Sequence, residues 1–386
     1  MAATQSNKSI IQCQVKLRLR PAQVRRFERW LWHLTAVHNW AVKLVEADAR
    51  HRIFRSSYDI ESRLVGHSQR LGIPARTIEA AARVAVESWR ACFAKRAGRP
   101  KLKGRRNRLN SIPFRDRLVI HKAGRVRLPI FGEVKFHQQQ IPAGLIKCGR
   151  VVRRASGWYL CLFIEAQPRQ IAHVGDAAVG IDPGFASLIT LSTGEKIGRA
   201  VELQRTADRL AQAQRGNRRR LTARLREREA NQRRDRNHKL SRRLVSENAL
   251  VAWSKDSHSA LARIGFGKSV AGAAHGQLRN MLAFKCRAGG REFIEVPNRY
   301  STMTCSSCGQ RTGPRGRAGL KVRIWSCSSC GTTHDRDRNA AIVTLQAALG
   351  TSVESSVKLR LESPCSKTAR FNSVVVGLQR TEGDSR

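Results

Sequence analysis

Two cysteine pairs constrain this chain more than any other feature of its sequence. Both are CxxC motifs, and residues 309–326 separate them. The paired residues are Cys305, Cys308, Cys327 and Cys330. A glycine after each pair allows the tight turn that points backbone N–H groups at sulfur. This pattern predicts a closed, structural Zn²⁺ site with four thiolate ligands. A redox-active thiol pair is the alternative, and we expect nearby His334 to pack or to face solvent rather than to bind the ion.

The charge balance points to a polyanionic partner. Among 386 residues, 73 are Lys or Arg and 28 are Asp or Glu, which gives a formal net charge of +45. Such a surface repels itself unless a polyanion neutralises it, and nucleic-acid phosphates do so without regard to base sequence. The sequence has no membrane-spanning run and no secretory signal, and its cysteines are too sparse for a disulfide scaffold. We therefore expect a cytoplasmic nucleic-acid-binding protein that does not engage membranes.

Two clusters of basic residues are the candidate contacts to a nucleic-acid backbone. The first lies in residues 95–108, where Gly and Pro indicate an extended loop, and the second lies in the helical pattern of residues 215–243. The candidate contact residues are Lys95, Arg96, Arg99, Lys101, Lys103, Arg105, Arg106, Arg218, Arg219, Arg220 and Arg224. A merely solvated basic helix is the alternative for the second cluster.

The first half of the chain alternates between strand and helix patterns. Residues 10–20 alternate apolar and polar and predict a half-buried strand, after which Pro21 opens a helix. A second helix is expected over about 76–96, and short strands between 113 and 170 would join the first strand in a small β-barrel. The first helix carries Trp30, Trp32 and Trp40. Core packing is the expected role for most of these rings, with base stacking as the alternative.

Two aspartates in the second half are candidate ligands of a divalent metal. Asp182 ends the apolar strand pattern in GIDPG, and Asp337 stands where a helix begins in HDRDRNAAI. A strand-end acid and a helix-start acid can converge on Mg²⁺, which prefers hard oxygen ligands. Helix capping is the alternative for an Asp at a helix start, and we favour it for Asp335.

These motifs resemble a known family. The segment VGIDPGFASLITLSTGEKI and the later run CSSCGTTHDRDRNAA are similar to TnpB, the transposon-encoded RNA-guided proteins related to type V CRISPR effectors. The opening RLRPAQVRRFERWLWHLTAVHNWAV is also similar, and the match covers about residues 10–348. The resemblance implies an α+β, multidomain fold with a β-barrel wedge domain, a helical recognition insert and an RNase H-like RuvC domain that carries an inserted zinc ribbon. The expected boundaries are 1–21 and 113–175 for the wedge, 22–112 for the recognition insert, 176–300 and 332–350 for RuvC, 301–331 for the ribbon, and 351–386 for a disordered tail.

The resemblance also implies partners and an incomplete acid site. In that family a guide RNA pairs with double-stranded target DNA, here in a bacterial or archaeal nucleoid, while the protein reads a short flanking motif. Asp182 and Asp337 match the first and last RuvC acids, but the family needs a third carboxylate. Its usual place is near Ser254 and its alternative place is Asn298, and neither residue is acidic. Asp256 and Glu295 are the nearest substitutes.

Three hypotheses stand at this point. The one we favour is an RNA-guided DNA-binding protein whose RuvC site is degenerate and cleaves little or nothing. The second is an active Mg²⁺-dependent RNA-guided endonuclease, with Glu295 or Asp256 completing the site beside Asp182 and Asp337. The third is a general RNA-binding zinc-ribbon protein, which the composition permits and the pair of aspartates argues against.

Overall fold

The computed structural model divides into two compact units, one ending at Gln167 and the other beginning at Pro168. It describes residues 9–354 except 54, 117, 122–123, 169, 185–186, 199–200, 256–273, 298–299 and 316–317. In this part of the chain, no helix is long and apolar enough to cross a membrane.

The first unit is built on a seven-stranded antiparallel sheet with the order β2-β6-β7-β1-β5-β4-β3. Its strands are β1 (Ser9–Arg18), β2 (Ser111–Phe114), β3 (Val119–His121), β4 (Arg125–Leu128), β5 (Gly132–Phe136), β6 (Leu145–Arg154) and β7 (Gly157–Ala166). Strand β1 joins the two halves of this sheet, because it pairs with β7 along most of its length and with β5 at its end. The pairing of the described residues runs in an open order from β2 to β3, so closure into a barrel stays a prediction.

Four helices pack with this sheet around one hydrophobic core. They are α1 (Pro21–Arg50), α2 (Ser57–Ser62), α3 (His67–Leu71) and α4 (Ala75–Phe93). Helix α1 begins at Pro21 as the sequence predicts, and the ring of Phe27 stacks on Phe131 with the centroids 3.9 Å apart. The separation of a wedge domain from a recognition insert stays a prediction.

The tryptophans of α1 differ from the sequence-based expectation. Trp30 is buried beside Phe27, but Trp32 and Trp40 are exposed over 48% and 37% of their surface. Two residues along an α-helix correspond to a rotation of about 200°, so Trp32 lies opposite the core-facing Trp30. Core packing is therefore wrong for two of the three rings.

The second unit contains a five-stranded mixed sheet with the order β10-β9-β8-β11-β12. The strands are β8 (Ala177–Pro183), β9 (Ile189–Leu191), β10 (Lys196–Ile197), β11 (Asn248–Lys255) and β12 (Glu292–Pro297). Strands β8, β11 and β12 are parallel, while β9 and β10 are antiparallel additions beside β8. Strand β11 is buried almost throughout, as its apolar sequence predicts.

Helices cover both faces of this sheet. They are α6 (Arg219–Glu247), α7 (His275–Ala288) and α8 (Arg336–Glu354), while α5 (Val201–Arg215) packs on α6. On one face, side chains of α6 and α7 pack with Val179, Val251 and Trp253, and on the other face α8 packs with Leu250 and Ala252. A short hairpin of β13 (Ile324–Ser326) and β14 (Thr333–Asp335) leads directly into α8. The helix includes residues 351–354, contrary to the predicted disordered tail, and the rest of that predicted tail, residues 355–386, lies outside the described part.

Gly180 of β8 lets α8 approach the sheet closely. A Cβ atom at this position would lie 2.1 Å from the backbone oxygen of Ala341 and 2.9 Å from Cβ of Leu345. Both obstacles belong to the middle of a packed helix, so neither can move aside cheaply. Glycine here therefore sets the distance between α8 and the sheet.

We expect Gly180→Ala to lower the free energy of unfolding of the second unit by about 1–3 kcal/mol, because α8 must move outward to make room. Chemical denaturation followed by circular dichroism measures this. Gly276→Ala is a matched control, since a Cβ there meets no atom within 4 Å. Equal effects of the two substitutions would contradict the close approach.

Candidate functional site

The strand register places Asp182 and Ser254 on one face of the five-stranded sheet. Ile181 of β8 is paired in parallel with Trp253 of β11, and both side chains belong to the core under α6 and α7. Side chains alternate between faces along a strand. Asp182 and Ser254, one residue further along, therefore lie side by side on the face that α8 covers.

Ser254 is a buried polar residue that has no partner in the described part of the chain. The residue is 1% exposed, and its Oγ atom has no hydrogen-bond partner among the described residues. A buried hydroxyl without a hydrogen bond costs about 1–3 kcal/mol, so native structures rarely keep one without a reason. The adjacent Asp182 is also buried, at 8% exposure.

Glu295 lies on the opposite face of the sheet. It is paired in register with Trp253 of β11, whose side chain belongs to the core under α6 and α7, and its carboxylate forms ion pairs with Arg279 of α7 at 3.4 Å and Lys255 at 3.6 Å. A third acid that joins Asp182 would have to project from the face of the sheet that α8 covers. The geometry of Glu295 therefore does not support the hypothesis that it completes the acid pair. The other candidate acid, Asp256, and the alternative position Asn298 lie outside the described residues.

Asp337 stands in the first turn of α8, on the same face of the sheet as Asp182. One turn later, Ala341 lies against Gly180 of β8, which is two residues before Asp182. The carboxylate of Asp337 accepts a hydrogen bond from Arg323 at 3.4 Å. A cation is thus already present beside this acid.

Asp335 caps helix α8, as the sequence suggests. Its Oδ1 accepts the backbone N–H of Arg338 at 3.0 Å, and its Oδ2 pairs with the ammonium group of Lys196 at 2.6 Å. Partial burial alone would raise the pKa of Asp335, but Lys196 and the helix N–H groups outweigh burial and hold that pKa below its ordinary value. Asp335 therefore fixes the start of the helix that carries Asp337.

The four paired cysteines form a compact cluster. Their sulfur atoms all lie within 4.8 Å of one another, with Sγ of Cys305 3.7 Å from Cys330 and Sγ of Cys308 3.6 Å from Cys327. Four thiolates about 2.3 Å from one tetrahedral ion would be about 3.8 Å apart, so the cluster fits zinc. The described residues contain no other group of three or more His, Cys, Asp or Glu side chains that could share an ion. Asp182 and Asp337 belong to no such group there.

His334 belongs to the surroundings of this cluster. The residue is buried, its Nε2 atom lies 3.0 Å from Sγ of Cys305, and its ring packs on Trp325 with the centroids 4.9 Å apart. A ring N–H donated to a sulfur would stabilise a metal-bound thiolate and orient it. This contact agrees with the expectation of a packing role.

Asn339 joins the first cysteine turn to α8. Its Nδ2 donates to the carbonyl of Thr304 at 2.7 Å, and its Oδ1 accepts the N–H of Ser306 at 2.9 Å, so both backbone neighbours of Cys305 are held. Gln346, two turns later on the helix, donates to the carbonyl of Ser306 at 2.8 Å. Asn339 was missed by the sequence reasoning, although it lies two residues after Asp337. The cysteine cluster and the acid-bearing helix are therefore one hydrogen-bonded assembly.

The predicted nucleic-acid contacts are mostly exposed. Of the eleven residues proposed from sequence, ten are exposed and Lys103 is half-buried. The loop over residues 95–108 contains neither helix nor strand, and Asn39 of α1 holds it by bonding both the N–H and the carbonyl of Lys103 at 2.8 Å. The other basic residues lie at the start of α6 and in the turn before it. Both clusters are thus accessible to a polyanion.

Comparison with known proteins places these features in a family. Residues 275–344, which include the four cysteines and Asp337, match the Cas12f1-like TNB domain. A Streptomyces pristinaespiralis protein designated "Putative RNA-guided DNA endonuclease" is 36% identical over 279 residues, which cover 67% of this chain and 68% of that protein. InsQ of Escherichia coli strain K12, which has the same designation, is 24% identical over 323 residues, or 75% of this chain and 79% of InsQ.

The fold is also similar to that of a solved structure. Cas12f1, in its complex with sgRNA and target DNA, superposes with a TM-score of 0.51 at 14% sequence identity, over 83% of this chain and 82% of Cas12f1. At this identity the likeness concerns the fold, which is a Cas12f-like arrangement of helices and mixed sheets. The identity and coverage of the Streptomyces relative go further, and they show that the chain belongs to the TnpB-like family of RNA-guided DNA endonucleases.

Proposed function

We propose that this protein binds double-stranded DNA under the direction of a guide RNA, and that its acid site cleaves the DNA slowly or not at all. The designations of the two relatives and the net charge of +45 support the guided binding. In this arrangement base pairing selects the DNA, while the protein supplies a basic channel and reads a short flanking motif. The observation that carries the loss of cleavage is that the buried residue beside Asp182 is Ser254, which has a neutral side chain.

Charge explains why a serine at this position matters. Two divalent ions that clamp a phosphodiester rely on carboxylates to balance their charge, and a serine hydroxyl is a neutral and weaker ligand. Asp182 and Asp337 supply two negative charges, and Arg323 already offsets part of the second. The described residues therefore fit a pair of Mg²⁺ ions poorly.

Active cleavage is the second candidate function, because both relatives are named as endonucleases. It requires another acid on the face of the sheet that holds Asp182. Glu295 projects from the other face, which leaves Asp256 as the candidate that this hypothesis needs. General RNA binding without a guide is the third candidate, and the acid pair and the family relationship argue against it.

The cysteine cluster is proposed to hold one structural Zn²⁺ in a ribbon inserted before the last helix of a RuvC-like domain. The sulfur distances support this assignment. The ion would complete the folding of residues 301–331, which have a small core of Cys305, Trp325 and Cys327.

We expect the purified protein with its native flanking RNA to bind matched duplex DNA on the order of a hundredfold more tightly than DNA with a scrambled target. Electrophoretic mobility shift at fixed salt measures this difference. Sequencing the co-purified RNA is the accompanying observation, and one defined transcript is expected. Equal affinity for matched and scrambled DNA would overturn the proposal of guided binding.

We expect Ser254→Glu to raise the Mg²⁺-dependent cleavage rate of matched DNA at least about a hundredfold, since it restores a carboxylate beside Asp182. Single-turnover cleavage with the guide complex measures this rate. Ser254→Gln is the matched control, because it has the same size without the charge and should stay inactive.

The same assay tests the rival hypothesis in the unchanged protein. Rapid cleavage by the wild type that disappears in Asp182→Ala would show that the natural site is complete. That outcome would reject the degenerate site and leave guided binding intact.

We expect chelation of one Zn²⁺ per chain to increase hydrogen exchange in the first turn of α8 as well as in the ribbon, because Asn339 joins the two. Asn339→Ala should retain zinc but remove this coupling, since it unpairs the backbone of Thr304 and Ser306. Gln346→Ala, which removes one exposed hydrogen bond, is the control. Exchange that rises in the ribbon alone in the wild type would contradict the coupling.

A further inference from the structure

One exposed face of α1 carries two aromatic rings. Trp32 and Trp40 are eight residues apart, and exposed Ala36 lies between them at the i+4 position. Residues at i, i+4 and i+8 form one row on a helix, with a rise of about 12 Å from the first to the last. Two large rings with a small residue between them leave an open space along this row. These exposed rings form a candidate contact surface.

Neighbouring side chains hold the ring of Trp32. The guanidinium group of Arg108 lies over it, 5.4 Å from the ring centroid. Glu28 pairs with Arg108, and the same carboxylate group pairs with Arg153 at 3.0 Å. Arg108 is therefore held by the charge of Glu28 and stacks on one side of the ring, while 48% of Trp32 remains accessible. A ring supported in this way sacrifices little conformational freedom when a ligand stacks on it.

Basic residues flank the two rings. Exposed Arg25 and Arg29 continue the same helical face two turns and one turn before Trp32, and exposed Lys43 follows Trp40. The basic loop over residues 95–108 is held against α1 at Asn39, the residue before Trp40. The face therefore offers aromatic surface between cations, which complements a chain of planar bases joined by phosphates.

We propose that this face of α1, comprising Arg25, Arg29, Trp32, Ala36, Trp40 and Lys43, stacks unpaired bases of the RNA that the protein carries. The inference rests on the proposed function, and it assigns a contact surface to one of its partners. Exposed aromatic rings are unfavourable whenever they face water, so we assign them to a partner that stays bound. In the proposed function this partner is the guide RNA, which the protein carries between encounters with DNA. RNA recognition commonly splays single-stranded bases onto aromatic rings.

Stacking and phosphate contacts predict different salt dependences. Base stacking contributes about 1–3 kcal/mol per base and involves no counterion release. By comparison, removing one phosphate contact to a single strand reduces the steepness of log K against log salt by about 0.7. Removal of the rings should therefore weaken binding equally at every salt concentration, whereas removal of the cations should change the slope.

The experiment uses the full chain and a 20-nucleotide single-stranded RNA from its native flanking transcript, with the same RNA annealed to its complement as a second probe. We expect Trp32→Ala/Trp40→Ala to weaken binding of the single strand on the order of a hundredfold, with an unchanged salt slope and little effect on the duplex. Trp32→Phe/Trp40→Phe should stay within about fivefold of the wild type, because it keeps two rings. Arg25→Gln/Arg29→Gln is the comparison, and it should reduce the slope by about 1.4.

Three outcomes would overturn this inference. Binding of the single strand that is unaffected by the alanine pair would show that the rings do not contact RNA. A larger effect of the alanine pair on single-stranded DNA of the same sequence would identify a DNA strand as the occupant. An equal effect of the alanine pair on the single strand and the duplex would indicate that this variant disturbs the fold. The test is then the quenching of tryptophan emission by RNA. Identical quenching in the wild type and the Phe pair would show that Trp32 and Trp40 do not contact RNA and would reject the stacking.

The guided-binding proposal is tested separately. Matched and scrambled DNA targets can be compared with the alanine pair saturated with guide RNA. Retained discrimination together with weakened RNA affinity supports the stacking surface. Absent discrimination in the wild type rejects the proposed function without reference to the two tryptophans.

Discussion

The contact between α8 and Gly180 determines how the second unit is arranged. Because no side chain stands between them, the helix lies directly on β8, and its first turn carries Asp337 toward the strand end that carries Asp182. The same helix bonds the first cysteine turn through Asn339. Three features that are far apart in sequence, a strand-end acid, a helix-start acid and a cysteine cluster, thus share one rigid support.

This arrangement explains why two aspartates directly follow a cysteine pair. Asp335 ends the hairpin and caps the helix, Asp337 accepts a hydrogen bond from Arg323, and Asn339 bonds the backbone of the first cysteine turn. Asp335, Asp337 and Asn339 thus contact three different partners within five residues. The acids do not belong to the cysteine cluster, but the hydrogen bonds of the first cysteine turn help to fix the helix on which Asp337 stands.

Much of this architecture could be predicted from sequence, and the misses have definite causes. Period and turn residues indicated β1, α1 and α4, and cysteine spacing indicated the cluster. The face of the sheet from which Glu295 projects could not be predicted from sequence. Alternation of apolar and polar residues shows that a strand has two different faces, but it does not show which face packs against α8. Asn339 was missed because its partners lie more than thirty residues away. Trp32 and Trp40 were misassigned because aromatic character was given more weight than their helical phase.

The central position of β1 has a consequence for synthesis of the chain. This strand is made before the rest of its sheet, yet it pairs with β7, whose residues lie about 150 positions later. Helices α1 to α4 can form early from local contacts, but the sheet beneath them cannot be completed until β7 has left the ribosome. Such non-local pairing is slow. The first unit is therefore expected to complete its core only after β7 has been made, even though its helices come from the early part of the chain.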